Sequence, residues 1–188
     1  MRQRAHRWIA LWRAAPLLAL GSCVGTGDPL ASREWLEASA GAVQVRSRSP
    51  GELEDAFGWR LGGGYDINTD PLRLSWEVDA QWATHDFDDG SGVESDISAW
   101  VIGTGLRLSA DLEFLPLSVW GRGGVAWRDE RPADALVDDL DGAGTYWGCG
   151  LEWRYSAVGS LGPMATWFRG DDQDVATRFI ALNARFRL

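Results

Sequence analysis

The stretch Leu72–Trp82, LRLSWEVDAQW, decides the fold. Leu72, Leu74, Trp76, Val78, Ala80 and Trp82 share one parity, and Arg73, Ser75, Glu77, Asp79 and Gln81 share the other. Period two is the signature of a strand whose two faces meet chemically different surroundings. Were both residue classes equally common, a run this clean would arise about once in a thousand tries. On a helix, Arg73 and Glu77 would be set among apolar neighbours, so the strand reading is the consistent one.

The same alternation extends in both directions. Trp59, Leu61, Tyr65 and Ile67 oppose Arg60, Gly62, Gly64 and Asp66. Trp100, Ile102, Leu106 and Leu108 oppose Gly103, Gly105 and Arg107. Leu115, Leu117, Val119, Val125 and Trp127 oppose Ser118, Arg122 and Ala126, with Trp120 the exception on the polar parity. Trp147, Cys149, Leu151, Trp153 and Tyr155 oppose Gly148, Gly150, Glu152 and Arg154. Ile180, Leu182, Ala184, Phe186 and Leu188 oppose Ala181, Asn183, Arg185 and Arg187. Two weaker segments complete the set: Trp35 to Arg46, mostly alanine, glycine and valine, and Val158 to Phe168, whose phase stays open. Eight strands are predicted.

Their connections alternate in length. Those near 68 to 71 (NTDP), 109 to 113 (SADLE) and 155 to 158 are short. Those near 47 to 57, 84 to 95 and 129 to 142 are long, and 170 to 174 (GDDQD) is brief but acidic. Short turns therefore share one end and long loops the other. The expected fold is all-β, an eight-stranded antiparallel up-and-down transmembrane β-barrel.

Which face points outward separates a membrane barrel from a soluble one of lipocalin type. Eight strands enclose an interior just wide enough to be filled by side chains. The apolar parity carries too many tryptophans, tyrosines and leucines for that volume, whereas the other parity mixes charge with glycine and suits a crowded lumen. The aromatic residues also gather at strand ends. Trp59, Trp82, Trp100, Trp127, Trp147 and Trp167 fall toward the long loops, and Trp35, Tyr65, Trp153, Tyr155 and Phe186 toward the short turns. Two such belts are what the two interfaces of a bilayer select.

Composition agrees with one domain of this kind. The chain has 188 residues, 12 tryptophans, 23 glycines and a net charge of -9, and its 18 basic residues are all arginine. Arginines spread one or two to a segment on an acidic chain exclude nucleic acid as a partner. Residues 1 to 22 read as a signal peptide, with Arg2, Arg4 and Arg7 before the apolar run Ala14 to Leu20, and residues 23 to 34 as a linker. Leu20-Gly21-Ser22-Cys23 resembles the lipobox of bacterial lipoproteins, which marks Cys23 for lipidation; an ordinary signal peptidase site is the other reading. With Cys149 the only other cysteine, a disulfide framework is absent.

Over residues 35 to 188 the chain resembles the small OmpA- and OmpX-type outer-membrane barrels. Its ending, Ile180 to Leu188 (IALNARFRL), is similar to their terminal β-signal, with Leu188 where an aromatic residue is usual. The resemblance implies a bacterial outer-membrane location, contact with outer-membrane lipid and lipopolysaccharide, and recognition by the barrel-assembly machinery through Ile180 to Leu188.

Function is less legible than architecture. Arg60, Arg73, Arg107, Arg122, Arg154 and Arg185 share the predicted lumen with Asp66, Glu77, Asp79 and Glu152, and charges so enclosed must be paired. A packed ion-pair network is expected rather than a porin-like channel. The long connections hold most of the acid: Glu52, Glu54, Asp55; Asp86, Asp88, Asp89, Glu94; Asp129, Glu130, Asp134, Asp138, Asp139, Asp141; Asp171, Asp172, Asp174. Hard oxygen ligands suit divalent cations bridging lipopolysaccharide, but no segment completes a twelve-position calcium loop, so no metal site is assigned. His85, beside Asp86 and near Ser91 and Ser95, supplies the residue types of a nucleophilic triad without its geometry. No catalytic residue and no cofactor is expected. The expected role is therefore non-enzymatic, structural or surface-interacting. The alternatives are an outer-membrane enzyme modifying lipid at the outer rim and a lipocalin-like periplasmic ligand-binding barrel.

Overall fold

Alternating faces fold into strands throughout, because each strand must pair its backbone while keeping its two faces apart. The computed structural model describes residues 33–46, 54–68, 72–88, 94–112, 114–132, 142–170 and 176–188. Eight strands follow one another: β1 (Glu34–Arg46), β2 (Glu54–Asn68), β3 (Leu72–Asp88), β4 (Glu94–Asp111), β5 (Leu117–Pro132), β6 (Gly142–Arg154), β7 (Gly159–Gly170) and β8 (Ala176–Arg187). Each pairs antiparallel with its neighbours in sequence, and β8 pairs with β1, so the sheet closes into a barrel. Closure leaves no sheet edge exposed. Cys23 and the other residues assigned to the signal peptide and linker up to residue 32 lie outside the described residues, as do Ser91 and the acids Glu52, Asp89, Asp134, Asp138, Asp139, Asp141, Asp171, Asp172 and Asp174.

The register turns the sequence's aromatic positions into belts. Trp59 pairs with Trp82, Trp82 with Trp100, and Trp147 with Trp167. The Trp147 and Trp167 rings stack at 4.1 Å and 12°, and those of Trp82 and Trp100 sit 6.1 Å apart. Tyr65, Trp76, Trp153 and Phe186 are exposed toward the other end, as is Tyr155 just past β6. Between the belts the outward face is apolar: Leu61, Val78, Ile102, Leu106, Val125, Leu151 and Leu182 are all exposed.

Several boundaries and orientations differ from the sequence reading. The segment 84 to 95 is mostly strand: β3 runs to Asp88 and β4 begins at Glu94, so His85 lies opposite Ile97 and Asp86 opposite Asp96. Glu54, Asp55, Asp88, Glu94, Asp129 and Glu130 likewise stand on strands. β5 starts at Leu117 rather than Leu115, since the Leu115 N–H donates to the Leu112 carbonyl and forms a turn ahead of Pro116. Trp35 belongs to no belt. It is 1% exposed and points into the barrel, because β1 places Trp35, Glu37, Ser39 and Val43 on the inner parity.

The phase of β7 is also settled. Leu161, Pro163, Ala165 and Trp167 face outward, and Ser160, Gly162, Met164, Thr166 and Phe168 face inward. The β6–β7 ladder runs from Gly150–Met164 to Trp153–Leu161 without the two intervening pairs. Pro163 has no N–H to offer that ladder, which accounts for the gap and for the weak strand signal.

Candidate functional site

The inside of an eight-stranded barrel holds little more than side chains, so every large inward residue needs a small one opposite. Glycines supply that space. A Cβ on Gly64 would lie 2.4 Å from the Trp35 ring, and one on Gly150 would lie 2.5 Å from the Trp120 ring. These two indoles, with Tyr146 beside Gly103, wall a lumen whose middle is charged.

Glu37 is the hub of that middle. Its carboxylate receives Arg60 from β2, Arg107 Nη1 from β4 at 2.8 Å and Asn183 Nδ2 from β8 at 3.3 Å, with Arg122 Nη1 of β5 at 3.8 Å. Arg60 also binds Asp79 at 2.8 Å, and Arg122 binds Asp79 at 2.9 Å and Glu77 at 3.4 Å. Tyr146 donates its hydroxyl proton to Glu77 at 3.1 Å. Arg107 joins Glu37 to Glu152 and lies with its guanidinium 4.0 Å from the Trp120 ring centre. Charge-assisted hydrogen bonds and one longer ion pair thus tie five strands through one carboxylate.

Of the lumen residues read from the sequence, Arg60, Glu77, Asp79, Arg107, Arg122, Glu152 and Arg185 are enclosed, and Arg73 lies nearer the short-turn mouth, paired with Asp111 at 2.5 Å. Arg154 is corrected. It shares their parity but sits at the rim with its side chain 44% exposed, paired with Asp111 at 3.2 Å, because β6 ends there. Glu37 was missed because β1 is built of small residues that mark parity weakly. The available signal was that Trp35, Glu37 and Ser39 share a parity opposed by Leu36, Ala38, Ala40 and Ala42.

The ion-pair network does not fill the lumen along its full length. Toward the long loops it is closed by Val43, Ala83, Phe179 and Ala181 over Met164 and Trp120, and by Val101, Ala126 and Phe168 around Tyr146. Toward the short turns it opens into a cavity of about 450 Å³ lined by arginines, carboxylates and serines. Among the described residues no group of His, Cys, Asp or Glu is arranged to hold a metal ion. Cys149 is free and faces outward in mid-strand.

No family model matches the chain, and no curated protein matches it in sequence. Its likeness is to solved structures. The Neisserial surface protein A (NspA) superposes with a TM-score of 0.67 at 16% identity, covering 84% of this chain and 98% of that one. Ail, the attachment invasion locus protein of Yersinia pestis, gives 0.61 at 14% identity over 84% and 99%. The outer membrane protein OprG of Pseudomonas aeruginosa gives 0.56 at 10% identity over 84% and 97%. At such identities the likeness establishes the fold, the small eight-stranded barrel of these proteins.

Proposed function

We propose that the chain is a non-enzymatic integral protein of the bacterial outer membrane, a closed barrel with a structural or surface-interaction role. The observation that carries this reading is its inverted surface: an apolar outer wall between two aromatic belts around an ion-paired core. From Leu72 to Trp82 is ten steps of strand. At about 3.3 Å per step and a tilt of about 40°, that spans roughly 25 Å, the height of an outer-membrane barrel's apolar band. A lipocalin-like barrel needs the opposite arrangement, with an apolar cavity inside and polar residues outside. The fold shared with NspA, Ail and OprG supports the same location. β8 carries all of the Ile180 to Leu188 segment but its last residue and closes the barrel on β1, a position suited to a signal read during assembly.

Conduction is opposed by the interior. Ions would have to pass both the Glu37 network and the apolar layer of Val43, Phe179, Val101 and Phe168. In planar bilayers the chain is expected to give no steady single-channel steps; regular open levels would show that the lumen is a pore.

The short turns, the start of β1 and the end of β8 then face the periplasm, and the acidic loop segments face outside, where lipopolysaccharide and its bridging cations lie. The same orientation brings the linker before β1 to the inner leaflet, which fits acylation of Cys23. Palmitate labelling is expected in the parent chain and absent from Cys23→Ala. Equal labelling of the two, or none in either, would rule the lipid anchor out.

A further inference from the structure

We propose that the cavity at the short-turn mouth binds a small oxyanion bearing two or more negative charges, a phosphoryl or carboxylate compound. The location of this mouth in the periplasm rests on the reading above, whereas the site rests on its own geometry. Arg33, Arg73, Arg154, Arg185 and Arg187 line the cavity, against the three carboxylates Asp66, Asp111 and Glu152. Guanidinium groups present planar forks that match phosphate and carboxylate oxygens in pairs, so a ring of them is suited to this ligand class.

Asp111 serves Arg73 at 2.5 Å and Arg154 at 3.2 Å within the cavity, and the other two carboxylates are also engaged deeper in the barrel. Glu152 takes Arg107 from the deep network, and Asp66 Oδ1 accepts Ser75 Oγ at 2.7 Å and Trp35 Nε1 at 3.1 Å. The arginines they must also serve are held loosely: Arg185 is 3.3 Å from Asp66 and 3.6 Å from Glu152, and Arg187 is 3.6 Å from Asp66. In the deep network each arginine has at least one close carboxylate, Arg60 and Arg122 on Asp79 and Arg107 on Glu37 at 2.8 to 2.9 Å, besides the longer Arg122 contacts to Glu77 and Glu37. The Arg185 residue is only 4% exposed, yet its Nε finds no acceptor. Its guanidinium is steadied by the Trp35 ring, 4.1 Å away. Among the described residues, the Arg33 side chain makes no ion pair. Like charges gathered in an open cavity repel one another and attract a counter-ion, and a bound dianion would offset this excess. Ser156 on the same wall adds a hydroxyl donor, whereas Ser118 and Ser160 already donate to Asp111 and Glu152.

The test uses the full chain folded in zwitterionic micelles, because an anionic detergent would compete. Calorimetric titration is run with inorganic pyrophosphate in one arm and succinate in the other. One saturable site is expected in at least one arm; pyrophosphate alone points to a phosphoryl source and succinate alone to a carboxylate source. The Arg33→Gln/Arg187→Gln double variant is expected to bind at least tenfold more weakly. Arg178→Gln is expected to bind as the parent does, since that guanidinium lies near the opposite end of the barrel beside Trp167. If the double variant does not fold, Arg33→Gln alone, at an exposed position, decides: a threefold or greater loss supports the site and unchanged affinity overturns it. No saturation in either arm, or binding the double variant keeps, also overturns it. A chain that folds in micelles and fails to bind refutes this site alone, whereas one that cannot fold there refutes the membrane reading.

Discussion

Diluted from urea, the chain is expected to gain sheet structure by circular dichroism only when detergent micelles or lipid vesicles are present. The outer wall between the belts is apolar, and each 1,000 Å² of such surface kept in water forgoes about 25 kcal/mol of burial. That exceeds the net stability of a whole domain, about 5 to 15 kcal/mol. A water-dissolved monomer is therefore strongly disfavoured. Val78 is the position to probe, since it lies outward in mid-strand, paired with Gly63 on one side and Thr104 on the other. Val78→Arg is expected to cost about 2 to 4 kcal/mol of folding in vesicles, as charge near the bilayer midplane does in such barrels. A monodisperse folded monomer in plain buffer would end the membrane assignment.

The second large effect is expected at Glu37. Removing one partner of a buried ion pair costs about 3 to 5 kcal/mol, because the charges left behind stay desolvated and uncompensated. Glu37→Ala strips a partner from both Arg60 and Arg107 at once, so the upper part of that range is expected in urea unfolding from vesicles. Arg154→Ala serves as the contrast. Its pair with Asp111 is half-exposed and is expected to contribute about 0 to 1 kcal/mol. Equal losses in the two variants would mean that the lumen network is wet and adaptable rather than enclosed. Because Glu37→Ala could also open a small cavity, Glu37→Gln separates the causes: it keeps the volume and removes the charge.

Alternation made most of the barrel legible before any coordinates. The parity of Arg60, Glu77, Asp79, Arg107, Arg122, Glu152 and Arg185 is the inner one of the barrel and that of Trp59, Trp82, Trp100, Trp127 and Trp147 the outer one, whereas Trp167 stands on a strand whose phase the sequence leaves open. Strand ends were less legible, because β3 and β4 continue past their belts with polar residues that resemble loop. His85 and Asp86 were misplaced for that reason. Trp35 misled in the other direction: an aromatic near a strand end looked like a belt residue, and the weak parity of an alanine- and glycine-rich strand could not correct it.

The sequence by itself determined the strand class, the strand number, the direction of each clear face and the apolar outer wall. Period two is a local property, and each strand displays it without reference to any other. Only the tertiary structure decided that Glu37 joins the lumen arginines, that Arg154 falls at the rim, and that surplus guanidinium groups meet around a cavity at the short-turn mouth. Those facts depend on register around a closed ring, where Glu37 and its partner Asn183 are 146 residues apart in the chain. Parity states which wall a side chain faces; only closure states what stands across from it.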